Sequence, residues 1–104
     1  MDRITQLKTF LETAPDDAFV QHALALEYIK QGDDGAAKTL FQNILSKQED
    51  YTGSYYHLAK LLERTGEPNE ATAVYEKGLA KTKALGETHA YNELLAAYED
   101  FIDL

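Results

Sequence analysis

Three histidines are the side chains of this 104-residue chain best suited to acid–base chemistry or metal binding near neutral pH. A metal site needs several converging ligands, as in a His-x-x-x-His pair on one helical face. His22, His57 and His89 show no such spacing, and the first two lie 35 residues apart. The pattern therefore indicates isolated histidines, and we expect neither a metal nor another cofactor.

Adjacent carboxylates occur at several places, among them 16–17, 33–34 and 99–100. The first two pairs lie where helices are predicted to start, and negative charge there complements the helix dipole. The sequence has no glycine-rich phosphate loop and no Gly-x-Ser-x-Gly motif. It also has no cysteine, which excludes disulfides and thiolate chemistry. The chain is therefore not predicted to be an enzyme.

The charge balance argues against a nucleic-acid partner. Ten Lys and Arg face eighteen Asp and Glu, for a formal net charge of -8. An acidic surface repels phosphate backbones, whereas a nucleic-acid binder needs a basic patch. The N-terminus lacks the apolar run of a secretory signal, and no stretch approaches the length of a membrane span. We expect a cytoplasmic protein with no nucleic-acid or membrane partner.

The sequence repeats itself after 34 residues. Small and large residues recur in the same order. Two antiparallel helices approach closely only where side chains are small, so the matched alanines predict where each helical hairpin crosses. The matched pairs are Leu24/Leu58, Ala25/Ala59, Gly32/Gly66, Ala37/Ala71 and Leu45/Leu79.

Apolar periodicity predicts six helices and no strand. Gly32 and Gly66 can end the first helix of each hairpin, because glycine adopts the left-handed conformation without a steric penalty. Asp33 or Asp34 can cap the helix that follows, and Pro68 fits a first helical turn. The predicted helices cover residues 3–14, 18–31, 34–47, 52–65, 68–84 and 88–102.

The repeated landmarks resemble the tetratricopeptide repeat, whose pattern reads W-x-x-L-G-x-x-Y … A-x-x-x-F … P over 34 residues. Leu24-Ala25-x-x-Tyr28 with Ala37-x-x-x-Phe41 forms one copy, and Tyr55-x-x-Leu58-Ala59-x-x-Leu62 with Ala71-x-x-x-Tyr75 forms the next. The departures are Gln21 for the tryptophan, Leu62 for the tyrosine, and Glu49 and Lys83 for the closing prolines.

The resemblance covers the whole chain and implies an all-α fold, a right-handed superhelical array of antiparallel hairpins. We predict one domain, residues 1–104, made of four parts. Residues 1–17 resemble the second helix of a truncated repeat. Residues 18–51 and 52–85 are full repeats, and 86–104 form a capping helix. Leu95 stands at the small-residue site of that last helix, which indicates that no second helix packs closely there.

The family resemblance also implies that first helices line a concave surface that binds a partner. Apolar residues off the packing stripe, with nearby cations, would suit a peptide segment of another protein, an acidic segment included. Some family members clamp a chaperone carboxylate with groove asparagines, but Leu26 and Lys60 stand at those positions here, so that function is not carried over. The residues expected on the concave surface are His22, Leu26, Ile29, Lys30, Tyr56, Lys60, Glu63, Arg64, Asn92, Ala96 and Glu99.

Two functions from different classes remain open. In the first, the chain is an adaptor whose groove binds a peptide segment of another protein. In the second, it is an assembly module in which the groove or an end helix packs against an identical chain, giving a homodimer or a stack. Short repeat arrays favour such assembly because each added neighbour contributes stability.

Overall fold

The computed structural model describes residues 2–103, and within them it contains six α-helices and no strand. The predicted all-α fold class is confirmed, and each observed bound lies within one residue of the predicted one. No helix in the described part of the chain combines the length and apolar character needed to cross a membrane. The helices are α1 (Arg3–Thr13), α2 (Ala18–Lys30), α3 (Asp34–Lys47), α4 (Gly53–Arg64), α5 (Pro68–Ala84) and α6 (Thr88–Ile102).

Helix ends follow the turn residues predicted from the sequence. Gly32 and Gly66 have φ angles of 79° and 76°, and each follows the last turn of its helix. Past Gly32, the N–H of Asp33 donates to the carbonyl of Tyr28 (2.9 Å), which satisfies an end-of-helix acceptor. The Asp33 carboxylate then accepts from the N–H of Ala36 (3.1 Å). Asp33, and not Asp34, is therefore the N-cap of α3.

The helices fall into two compact units, one ending at Gln48 and the other beginning at Glu49. In the first unit, Leu7 of α1 packs with Val20 and Leu24 of α2. Ala25 and Ala37 are fully buried at the crossing of α2 and α3. The prediction of a single domain stays a prediction.

Gln21 occupies the site where the repeat pattern prefers tryptophan, and it is buried in the first unit. Its Nε2 donates to the carbonyl of Pro15 (2.7 Å), and its Oε1 accepts from Nδ2 of Asn43 (3.2 Å). Because both polar ends of the amide are paired, the side chain is buried without the cost of an unsatisfied group. The Gln21 amide thus links α2 to α3 on one side and to the turn that precedes α2 on the other.

The second unit is built around the hairpin of α4 and α5, with α6 packed against it. Ala59 and Ala71 are fully buried, as predicted for the crossing point. Gly78 of α5 makes an even closer approach, since a Cβ added there would lie 2.8 Å from Cβ of Tyr55 and 3.1 Å from Cδ1 of Leu94. Only glycine fits where α5 meets both α4 and α6.

The loop before α4 is held by polar contacts in place of the closing proline of the repeat pattern. The Tyr55 hydroxyl donates to the carbonyl of Glu49 (2.7 Å). The Glu49 carboxylate forms an ion pair with Lys77 and lies 3.8 Å from Nζ of Lys81. Its hydrogen bond with Lys77, followed by the charge of that lysine, lowers the pKa of Glu49. These contacts tie the loop to α5.

Candidate partner-binding surface

In the first unit, the predicted partner-binding residues share the solvent side of α2, opposite its buried residues. Leu26 and Ile29 are partly exposed there, and Lys30 is exposed. Phe19 lies seven residues before Leu26 and therefore on the same side of the helix. It is 72% exposed, more than any other large apolar residue described in the chain. We call Phe19, Leu26, Ile29 and Lys30 the outer face of α2.

Phe19 was not among the residues predicted from the sequence. Its seven-residue spacing from Leu26 was the available signal. Phe19 lies between two buried apolar residues, Ala18 and Val20, so the helical pattern alone did not show that it is exposed.

His22 belongs to the predicted set but has a structural role. It is half-buried, and its ring meets the ring of Phe41 edge-on, with centroids 5.4 Å apart. Such aromatic pairs contribute stability beyond the area that they bury. His22 therefore helps hold α2 against α3 while it borders the outer face.

In the second unit, α4 carries the next set of predicted residues. Tyr55 is buried and Tyr56 is only half-buried, as expected for neighbours on a helix. Beyond them, Lys60, Glu63 and Arg64 follow on the same side as Tyr56, at three- and four-residue spacings. Lys60 and Glu63 are partly exposed and Arg64 is exposed. We call Tyr56, Lys60, Glu63 and Arg64 the outer face of α4.

Glu63 is held in place by a hydrogen bond from a residue on the buried side of the hairpin. The Tyr75 hydroxyl of α5 donates a hydrogen bond to its carboxylate, which also lies 3.7 Å from Nζ of Lys60. Burial, and then the bond to Glu63, raises the pKa of Tyr75, so this hydroxyl stays a donor at physiological pH. The carboxylate is thus held in a set position next to the lysine.

The cations expected on the partner-binding surface are partly neutralised within each helix. Nζ of Lys30 lies 2.9 Å from the carboxylate of Glu27, and Lys60 has Glu63 beside it. In each helix a lysine of the outer face therefore lies one turn from a carboxylate, Glu27 in α2 and Glu63 in α4. The sequence-based prediction named Lys30 but not Glu27, so it did not include this ion pair.

The last helix adds an acidic surface to the second unit. Asn92, Ala96 and Glu99 are exposed on α6. His57 of α4 is influenced by Glu93 of α6: burial lowers the pKa of the imidazole, and the nearby carboxylate acts in the opposite direction. Toward the C-terminal end of α6 the surface forms a shallow depression lined by Ala96, Glu99, Asp100, Ile102 and Asp103.

The described residues hold no group of three or more His, Asp or Glu side chains placed to bind a metal ion together. Of the predicted partner-binding residues, those of α2 lie together in the first unit and those of α4 and α6 lie in the second. The chemistry these residues offer is recognition, through apolar surface flanked by charge pairs.

Comparison with known proteins places these features in a family context. The family model for the tetratricopeptide repeat matches residues 52–80. The crystal structure of a tetratricopeptide repeat domain protein from Salinibacter ruber is 33% identical, with a TM-score of 0.80 over 85% of this chain and 98% of that one. A solution structure of the same kind of domain from that organism has a TM-score of 0.82.

More distant structures share the fold. A protein from Bordetella parapertussis is 21% identical, with a TM-score of 0.82 over 97% of this chain and 88% of that one. MamA is 19% identical, with a TM-score of 0.73 over 96% of this chain and 65% of that one. No curated protein has a significant sequence match to the chain.

Proposed function

The chain belongs to the tetratricopeptide-repeat family, and we propose that it is an interaction module that binds peptide segments of partner proteins through exposed helix faces. The candidate surfaces are the outer face of α2 in the first unit and the outer face of α4 in the second. Helical repeat proteins of this kind present extended surfaces to their partners. The family membership supports protein–protein interaction in general. The choice of surface rests on the residues described above.

The observation that carries this proposal is the apolar outer face of α2. A surface helix normally buries one apolar stripe and presents polar residues to water. Here the side opposite the buried stripe carries Phe19, with Leu26 and Ile29 along the same side. Clustered exposed apolar side chains mark interaction sites more often than isolated ones do. A partner's apolar side chains would remove this surface from water.

In the second unit, charged residues on the outer face of α4 supply selectivity. Lys60 and Arg64 extend from the outer face of α4, and Glu63 is pinned by Tyr75. Charges at the rim of an interface steer encounter and reject partners of the wrong sign. We propose that a segment bound at this face carries at least one carboxylate that meets Lys60 or Arg64.

A charge-reversal comparison tests the outer face of α4. Tagged chain captures partners from its source cell, and mass spectrometry quantifies them. Lys60→Glu with Arg64→Glu should reduce recovery several-fold, while Lys8→Glu with Lys83→Glu, an equal charge change at other exposed positions, should not. Circular dichroism checks that all variants keep their helicity, since surface substitutions usually change stability by about 0.5 kcal/mol or less.

An apolar comparison tests the outer face of α2. Phe19→Ser should lower the recovery of partner proteins, while Leu85→Ser, which removes an exposed apolar residue outside both faces, should leave it unchanged. Equal recovery by wild type, Phe19→Ser and the Lys60/Arg64 double variant would mean that these faces do not bind the partner.

A cytoplasmic location is also proposed, on the sequence argument alone.

A further inference from the structure

Tyr75 of α5 and Glu63 of α4 form a polar pair that the first repeat lacks. Tyr75 is fully buried, and its hydroxyl donates to Oε2 of Glu63. By the 34-residue repeat, the equivalent residues are Phe41 and Ile29. Phe41 has no hydroxyl and Ile29 has no acceptor, so donor and acceptor occur together in one repeat and are absent together from the other. Because the first repeat forms the same kind of hairpin without it, the pair is not a requirement of the fold.

The hydroxyl of Tyr75 has a fixed position, because aromatic neighbours hold its ring. The ring centroids of Tyr98 and Phe101, both on α6, lie 5.5 and 5.7 Å from that of Tyr75. A fully buried ring packed in this way keeps one rotamer. Glu63 therefore accepts from a donor that is anchored in the core, although its own side chain lies on the outer face of α4.

The bond from Tyr75 leaves Glu63 only loosely paired with Lys60. Nζ of Lys60 lies 3.7 Å from Oε1 of Glu63, which is longer than a hydrogen bond between an ammonium and a carboxylate. On α2, by contrast, Nζ of Lys30 comes within 2.9 Å of the Glu27 carboxylate. The side chain of Lys60 is 36% exposed. A partner can therefore reach a lysine that no close ion pair with Glu63 occupies.

Removal of the hydroxyl would turn Glu63 toward this lysine. Asp100 of α6 acts on the same hydroxyl through its charge. Without the donor between them, the carboxylates of Glu63 and Asp100 would repel each other. The attractive neighbour of Glu63 is then Lys60, one turn earlier on α4, and side chains at this spacing can close an ion pair by rotation alone.

We propose that Tyr75 is a positioning residue for the outer face of α4: its hydroxyl holds Glu63 away from Lys60 and so keeps the lysine available to a carboxylate of the partner. This inference rests on the proposed function of that face. It assigns part of the selectivity for acidic segments to a buried side chain that the partner does not touch.

Lysine acylation tests the positioning in the absence of any partner. N-hydroxysuccinimide acetate attacks neutral amines, and an ion pair with a carboxylate favours the charged form. Mass spectrometry of the digested protein gives the rate at Lys60 relative to Lys83, an exposed lysine of α5. Tyr75→Phe should lower this ratio about two- to fivefold, the effect of an exposed ion pair. Glu63→Gln added to Tyr75→Phe should return the ratio to the wild-type value or above, which would not happen if Tyr75→Phe had merely distorted the helix.

Tyr98→Phe is the matched control, since it removes a hydroxyl that donates to a different glutamate, Glu76 (3.2 Å). It should leave the relative rate at Lys60 unchanged. Circular dichroism and urea melts check that the variants are folded, and Tyr75→Phe introduces the residue that the first repeat has at this position. A folded Tyr75→Phe variant with the wild-type ratio would overturn the inference, and so would an equal fall in Tyr98→Phe.

A peptide library separates this inference from the proposed function. The probe is a pool of short random peptides that share one fixed position, occupied by Glu, Gln or Lys. Wild type should enrich the Glu peptides over the Gln peptides, Tyr75→Phe should lose about two- to fivefold of that enrichment, and Glu63→Gln in the same chain should restore it. A wild-type protein with no preference for Glu would overturn the carboxylate recognition proposed for α4, whereas the acylation ratio decides the positioning of Lys60 independently.

Discussion

At the scale of single residues, two departures from the repeat pattern are positions where polar contacts have replaced apolar ones. Gln21 replaces a tryptophan, and its amide is paired at both ends. Glu49 replaces a closing proline, and its carbonyl accepts from Tyr55 while its carboxylate binds Lys77. A weak match to the pattern at these two positions therefore does not indicate a weak fold.

Tyr55 gives a prediction about alkaline pH. Burial, with the nearby charges of Glu49 and Asp50, raises the pKa of its hydroxyl from 10.0 to about 12. The unfolded chain releases this proton near pH 10 and the folded protein holds it longer. The stabilisation is therefore complete below pH 10 and is lost as the pH rises through 12.

The test compares wild type with Tyr55→Phe in urea melts from pH 8 to pH 12. At pH 8 the variant should be less stable by about 1 kcal/mol, because it loses the hydrogen bond to Glu49. Between pH 10 and 12 the free energy of unfolding should fall more steeply for wild type, so the difference narrows. Parallel curves would show that Tyr55 ionises at the same pH in both states.

Gly78 provides the second prediction at this scale. An added methyl group would press on Cβ and Cγ of Tyr55 at 2.8 and 2.9 Å, atoms too close to the backbone to move aside. Gly78→Ala should therefore lower the free energy of unfolding by about 1–3 kcal/mol. The loss is expected even though alanine has a higher helix propensity than glycine, by about 1 kcal/mol. Gly35→Ala is the control, since its nearest neighbour would be Oδ1 of Asp33 at 3.8 Å. Chemical melts in which Gly35→Ala is neutral or stabilising, and Gly78→Ala is not, would support the close approach.

At the scale of the helices, the hairpin of α4 and α5 depends on small residues where the two helices cross. Ala59 and Ala71 are both fully buried. Ala59→Leu or Ala71→Leu should overpack the crossing and cost about 1–3 kcal/mol. Ala96→Leu places the same side chain on an exposed position of α6 and should change stability little. Thermal or chemical melts in which either buried substitution is neutral would place the crossing elsewhere.

At the scale of the whole molecule, the division into two compact units predicts uneven stability. In helical repeat proteins each element contacts only its neighbours, so a local defect is felt most in its own unit. Gly78→Ala should therefore accelerate hydrogen exchange more in α4, α5 and α6 than in α1, α2 and α3. Native-state exchange followed by NMR measures both sets of amides. An equal increase in all six helices would mean that the chain opens as one cooperative unit.

The sequence by itself determined the helices, their ends and the small residues at the crossings. Each of these depends on neighbours close in the chain or on the 34-residue repeat. Gly32 ends α2 because its backbone is left-handed. Asp33 caps α3 because its carboxylate accepts from the N–H three residues later, which has no acceptor within the helix. Ala59 and Ala71 were predictable as buried because their counterparts recur in register.

Only the tertiary structure decided which apolar side chains are exposed to solvent and which charged side chains pair with one another. Phe19 and Val20 are adjacent apolar residues, yet the packing of α1 and α3 against α2 buries Val20 and leaves Phe19 in solvent. Glu63 is fixed by Tyr75, twelve residues away on another helix. Burial and long-range pairing depend on which surfaces meet in space, and one-dimensional periodicity does not contain that information.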